Sequence, residues 1–238
     1  MAWVRLRQVA LVAVDLEEVV GELGTTLGLE VGHCDPAVAA FGLRNAVLPL
    51  GHQFVEVVSP TREGTAAGRQ LARAGGDGGY MVICQTDDGP GRRRRAAALG
   101  VRTAFEADED GYSILQWHPA DTGGSFLELD VQPGGEDPWG PWAPAGPRWQ
   151  EAVRTDRVDA ITGVVVQSVD PDRTAARWAS LLATPTPAPT GQGGWTIPLD
   201  NATVTVQRGP TDALVQVAVR GAAPPPPRRI AGVLFRPA

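Results

Sequence analysis

The chain predicts an α+β fold of tandem β-α-β-β-β repeats, duplicated in an eroded second half. Three observations predict it. QVALVAVD (8–15) and YMVICQTD (80–87) share a hydrophobic pattern, as do Leu27-Gly28 and Leu99-Gly100, and FVEV (54–57) and FLEL (126–129); every pair is offset by 72 residues. Self-similarity at one fixed period marks a repeated structural unit. ITGVVVQSVD (161–170) and IPLDNATVTV (197–206) then echo residues 6–15 and 48–57.

Each element follows from local pattern. Residues 4–14 are rich in Val and Leu and read as a strand. Asp15 stands where a helix N-cap would, with Glu17, Glu18 and Glu22 in the turns beyond it. Leu16, Val19, Val20, Leu23 and Leu27 form a helical apolar stripe, and Gly28 fits the C-terminal stop. Strands are expected at about 37–42, 45–50 and 53–58, then a connecting helix over 61–74 that GGDGG (75–79) breaks. The second repeat runs as a strand over 80–87, a helix over about 90–98, and strands near 101–107, 111–117 and 125–131. Arg92 to Arg95 fall on that helix and read as a solvated face, since four successive residues cannot all point at one site.

Residues 133–149 are rich in Pro, Gly and Trp and form the clearest boundary; three tryptophans suit a packed strap better than a free tether. The expected organisation is a domain over 1–132, with repeats at 1–60 and 76–132, a linker over 133–157 and a second, eroded half over 158–238. In that half a helix covers 172–182 and strands cover 213–219 and 231–236, while Pro224 to Pro227 exclude a helix interior.

Composition narrows the function. A net charge of −6 speaks against a general nucleic-acid surface, and with no lysine in the chain a Lys Schiff base is excluded. Cys34 and Cys84 are too few for a disulfide framework or a Cys-based zinc site. No stretch approaches the ~18 apolar residues of a membrane span, and Arg5, Arg7 and Asp15 interrupt the apolar N-terminus. The expectation is a soluble cytoplasmic protein, monomeric or homodimeric, acting on a small molecule. No dinucleotide or phosphate loop is present, and GGDGG precedes a strand instead of joining a strand to a helix.

The ordered set of a V-x-D helix start, an L-G stop and an F-x-E last strand, with HPADTGGSFLEL (118–129), resembles the vicinal oxygen chelate superfamily of glyoxalases, bleomycin-resistance proteins and extradiol dioxygenases. The resemblance covers residues 4–132 and, more weakly, 158–236. It implies sheets curled into a cup and a divalent metal (Zn, Ni, Mn, Co or Fe) held by residues of the first and last strands of each repeat. Carried onto this chain, the positions are Gln8, Glu56, Tyr80 and Glu128. The implied metal ligands are Gln8, Glu56 and Glu128, and the implied catalytic residues are Glu56, Glu128 and Tyr80. Tyr80 departs from the expected ligand, because a phenol with a pKa of ~10 is a poor ligand at neutral pH. It would instead donate a hydrogen bond to a substrate oxyanion. Gly163 and Thr205 stand at the places of Gln8 and Glu56 in the eroded copy.

His52 lies on the same expected strand as Glu56, about 13 Å away at ~3.3 Å per residue, too far to share an ion. A structural role is expected for His33, His52 and His118, with His118 either lining the rim or capping its turn. Two functions stay open: a metal-assisted lyase, isomerase or epimerase working through an enolate-like intermediate, and a metal-free small-molecule binder of the bleomycin-resistance type.

Overall fold

The computed structural model describes residues 3–191 and 193–238. The first repeat folds as β1 (Val4–Val12), α1 (Leu16–Leu27), β2 (Leu43–Leu50) and β3 (Gln53–Pro60). After α2 (Ala66–Ala74) the second gives β4 (Gly78–Thr86), α3 (Gly89–Ala98), β5 (Thr103–Glu109), β6 (Tyr112–Trp117), α4 (Pro119–Thr122) and β7 (Phe126–Val131). The third is β8 (Ala160–Ser168), α5 (Pro171–Leu182), β9 (Ala188–Pro189), β10 (Trp195–Pro198) and β11 (Thr203–Arg208). The fourth keeps β12 (Ala213–Arg220), β13 (Arg228–Ile230) and β14 (Val233–Pro237). The fold is α+β with mixed sheets. Among the described residues no helix is long and apolar enough to cross a membrane.

Local chemistry explains the helix ends. The Asp15 side chain accepts from the Glu18 amide at 3.0 Å, and Gly28 closes α1 in the left-handed region at φ 75°. Leu16, Val19, Leu23 and Leu27 are buried. The expected strand over 37–42 is instead a 3₁₀ helix, Pro36–Phe41. Asp35 caps it through the Ala37 amide, and Pro36 is pre-set for a first helical position.

The chain forms two compact units, each drawn from both of its halves. The first, here the Gln8 unit, comprises Gln8–Tyr80, Trp142–Thr162 and Val215–Ala238. In it β1 pairs with β3 in parallel, Gln8 opposite Phe54, and β2 lies antiparallel to β3. β12 and β14 pair in parallel, with β13 antiparallel to β14. Trp142 and Trp149 are buried against Phe54, with ring centroids 6.2 Å and 5.0 Å away. Gly51 turns from β2 to β3 at φ 59°, and a Cβ there would run into the Asp159 carbonyl oxygen. Gly51→Ala is therefore expected to lose at least ~2 kcal/mol, combining left-handed strain with a backbone collision, and urea unfolding measures it.

The Glu128 unit comprises the chain up to Arg7, Met81–Pro141 and Gly163–Leu214. Here β4 pairs with β7 in parallel, and β6 lies antiparallel between β7 and β5. β8 pairs with β11 in parallel, followed by antiparallel β10 and β9. The arginine run divides. Arg93 pairs with Glu106 at the surface, but Arg92 is wholly buried and donates to the Thr86 hydroxyl at 3.3 Å. The solvated-face reading fails for Arg92 because its place on α3 points inward toward β4.

Candidate functional site

In the Gln8 unit, β1 and β3 bring together Gln8 and Glu56, two of the positions that the resemblance implied. The Gln8 Nε2 amide donates to Glu56 Oε2 at 2.9 Å. From β2, Asn45 Nδ2 donates to Glu56 Oε1 at 2.6 Å. The Trp142 indole N–H donates to Gln8 Oε1 at 2.8 Å. All four side chains are buried. Burial pushes the Glu56 carboxyl up from its usual value, against the pull of the amide donors of Asn45 and Gln8.

This closed network settles which way Gln8 points. An indole N–H can only donate, so the Gln8 atom facing Trp142 is the oxygen, and the amide nitrogen must face Glu56. A metal ligated by this pair would need the Gln8 oxygen and a Glu56 oxygen turned to one point. Instead the Gln8 oxygen is committed to Trp142, and both Glu56 oxygens accept amide protons. The donor set in this arrangement does not fit a metal ion. Among the described residues, no group of three or more His, Cys, Asp or Glu could hold one.

The second repeat differs by one residue. Gln8 lies opposite Phe54 on β3, but the residue opposite Phe126 on β7 is Met81, not Tyr80. The place of Gln8 in this repeat thus belongs to Met81. Tyr80, buried in the Gln8 unit, stands one position off, and successive side chains on a strand face opposite sides. The constant 72-residue offset hid this slip. In the third repeat Gly163 lies opposite Thr203 and Val165 opposite Thr205, the alignment expected for Gln8 and Glu56.

Glu128 lies on β7 in the other unit. Gln116 Nε2 on β6 donates to its Oε2 at 3.1 Å and lies 3.7 Å from the Met81 sulfur. Cross-strand partners share a face, so Phe105 (opposite Gln116) and Phe126 (opposite Met81) belong to it too. So does Ile114, opposite Asp130. Phe105, Ile114 and Phe126 are half-buried, so this face is partly open, and beside these apolar groups it carries the Glu128–Gln116 pair and, further along, Asp130 with Tyr112.

Two residues further along β7, Asp130 is wholly buried and accepts from the Tyr112 hydroxyl at 2.7 Å through Oδ2. Its Oδ1 has no partner among the described residues, and burial pushes its carboxyl up to about 8. Neighbouring Cys84 is pushed up to about 12 by burial and by Asp130. Neither Asn45 nor Trp142 nor Asp130 was singled out as a site residue from sequence. Asn45's polarity within a Val/Leu strand was the available signal for the first, and the Trp-rich strap for the second.

His118 Nδ1 accepts from the Ala120 amide at 3.2 Å and caps α4. His33 forms an isolated bridge with Val47. His52 sits in the turn before β3 and not on the strand.

The repeated β-α-β-β-β order and the family match that follows define a protein of the vicinal oxygen chelate superfamily. The family described as Glyoxalase-like domain matches residues 9–182, and the chain belongs to it. Among solved structures, a hypothetical protein from Staphylococcus aureus superposes with a TM-score of 0.70 over 98% of both chains at 13% identity. Methylmalonyl-CoA epimerase from Streptomyces coelicolor matches 54% of this chain and 96% of its own at 26% identity and a TM-score of 0.48. The Mycobacterium tuberculosis epimerase matches 53% and 86% at 24% and 0.47. A search of curated proteins finds no match.

Proposed function

We propose that this glyoxalase-like protein binds a small molecule without a metal at Gln8 and Glu56. One observation carries the reading: the Trp142 indole N–H takes the Gln8 oxygen that a metal would need. The other reading, a metal-assisted isomerase, requires Trp142 to leave a buried site in which it is hydrogen-bonded and stacked. Ligand contact falls to the face of Phe105, Ile114, Gln116, Phe126 and Glu128. Half-buried aromatic and aliphatic groups around a carboxylate suit a hydrophobic molecule carrying a cationic or hydrogen-bond-donating group.

Two measurements test this. Protein purified without chelator should contain substoichiometric metal and take up none on titration with Mn²⁺ followed by electron paramagnetic resonance. A stoichiometric ion that is lost in Glu56→Gln overturns the metal-free reading. In a thermal-shift screen, planar aromatic cations should raise the melting temperature, and Glu128→Gln should reduce the rise. Equal shifts from anionic compounds, or an unchanged rise in the variant, overturn the assignment of the face.

A further inference from the structure

We propose that a cleft between α3 and α5 binds a small organic phosphate, with Arg95 holding its phosphate group. The cleft has a volume of about 360 Å³, within the ~300–1,000 Å³ range of small-molecule sites. It lies wholly in the Glu128 unit. Arg95 enters it from the last turn of α3. Ser180 enters it from α5, and Thr184 and Thr186 from the segment that follows. No carboxylate lines it.

These donors are uncommitted. Among the described residues, the side chains of Arg95, Ser180 and Thr186 have no hydrogen-bond partner, and Thr184 makes only a long contact of 3.5 Å with the Pro185 carbonyl. The rest of the arginine run differs. Arg93 pairs with Glu106, and Arg92 is buried against Thr86. Arg94 is exposed and does not line the cleft. Burial lowers the pKa of Arg92, and the charge of Arg95 lowers it further. Asp88 offsets part of this, but it caps the first turn of α3, at the other end of the helix from Arg95. An anion held by Arg95 relieves the repulsion between the two guanidiniums.

The kind of anion follows from the donors. A guanidinium takes two oxygens of one anion side by side. A carboxylate spends both of its oxygens on that contact, in one plane. A phosphate monoester keeps a third oxygen outside the plane for hydroxyl donors. Three hydroxyls around one guanidinium therefore suit a tetrahedral anion. The small side chains of Ala176, Ala179 and Ala183 leave the room, and they offer apolar surface to the carbon body of an ester. The end of α5 opposes an anion only weakly, because the Ala179 and Ser180 carbonyls already accept from the Thr184 and Ala183 amides.

Phenyl phosphate, inorganic phosphate and benzoate, each added to the whole protein, test the assignment by ³¹P NMR and calorimetry. Phenyl phosphate should bind saturably. Inorganic phosphate should bind more weakly, since it leaves the alanine surface uncovered, and benzoate should also be weaker. Arg95→Gln should weaken phenyl phosphate roughly tenfold or more, through loss of one charge-assisted pair. Its urea midpoint should match the parent's, since Arg95 is exposed and makes no ion pair among the described residues. Arg94→Gln removes the same charge one residue away and should keep the affinity. Glu128→Gln should keep it too, and any rise in melting temperature from phenyl phosphate should disappear in Arg95→Gln, which separates this cleft from the face assigned above. Equal losses in Arg94→Gln and Arg95→Gln, affinities for benzoate or inorganic phosphate that equal that for phenyl phosphate, or no saturable binding overturns the proposal.

Discussion

Trp142→Ala is expected to lower stability by about 3–5 kcal/mol, the range for deleting a buried aromatic side chain. Trp142 is almost fully buried, stacks on Phe54 and donates to Gln8. Alanine removes all three and leaves the Gln8 oxygen unsatisfied. Trp142→Phe separates the contributions. It keeps a ring against Phe54 and loses the N–H, so about 1–3 kcal/mol should remain as the penalty of the orphaned acceptor. Adding Gln8→Leu removes both partners of that bond, and the double variant should be less destabilised than the sum of the two singles. Urea unfolding of the four proteins measures this. A Trp142→Phe variant as stable as the parent would mean that the indole N–H contributes nothing to holding the strap.

The second large effect is a stability that falls with rising pH through Asp130. Its folded carboxyl titrates at about 8, above the ordinary value of ~3.9. Between these values the folded protein holds a proton that the unfolded chain has released, so stability declines as pH rises. The stabilisation is complete below the unfolded value and lost as pH passes the folded one. Each unit of difference corresponds to ~1.4 kcal/mol, so the decline is on the order of several kcal/mol between pH 5 and 9. Asp130→Asn cannot titrate and should remove most of it. Glu56 is also raised by burial and acts with the same sign, so a residual slope should remain and shrink further when Glu56→Gln is added. Urea midpoints across this range decide the matter; an equal decline in parent and Asp130→Asn would exclude Asp130 as the cause.

The elements most legible in the sequence were those written in short-range chemistry. Asp15 and Gly28 announce the ends of α1 because an N-cap carboxylate and a left-handed C-terminal residue act within one turn. Gln8 and Glu56 were two of the positions the family resemblance implied on the first and last strands of a repeat, and those two side chains meet. The strand expected over 37–42 misled for a local reason: Asp35 and Pro36 start a 3₁₀ helix that an apolar run conceals.

Tyr80 shows a different limit. Its equivalence to Gln8 holds along the sequence but fails in space, because β4 pairs with β7 in a register that puts Met81 opposite Phe126. A slip of one residue exchanges the two faces of a strand, and strand register is set by pairing, not by sequence spacing.

By itself, then, the sequence determined the repeated β-α-β-β-β architecture, because periodicity and capping are encoded within a few residues, while the placing of Gln8 near Glu56 came from the family resemblance. Only the tertiary structure decided what that pair does. Trp142 reaches Gln8 across 134 residues of chain, and its donor-only N–H turns a candidate ligand into a hydrogen-bond acceptor. Asp130 likewise gains its raised carboxyl value from complete burial, against the pull of the hydroxyl donated by Tyr112, eighteen residues away. Desolvation and partner choice are properties of the packed interior, and no local pattern of residues carries them.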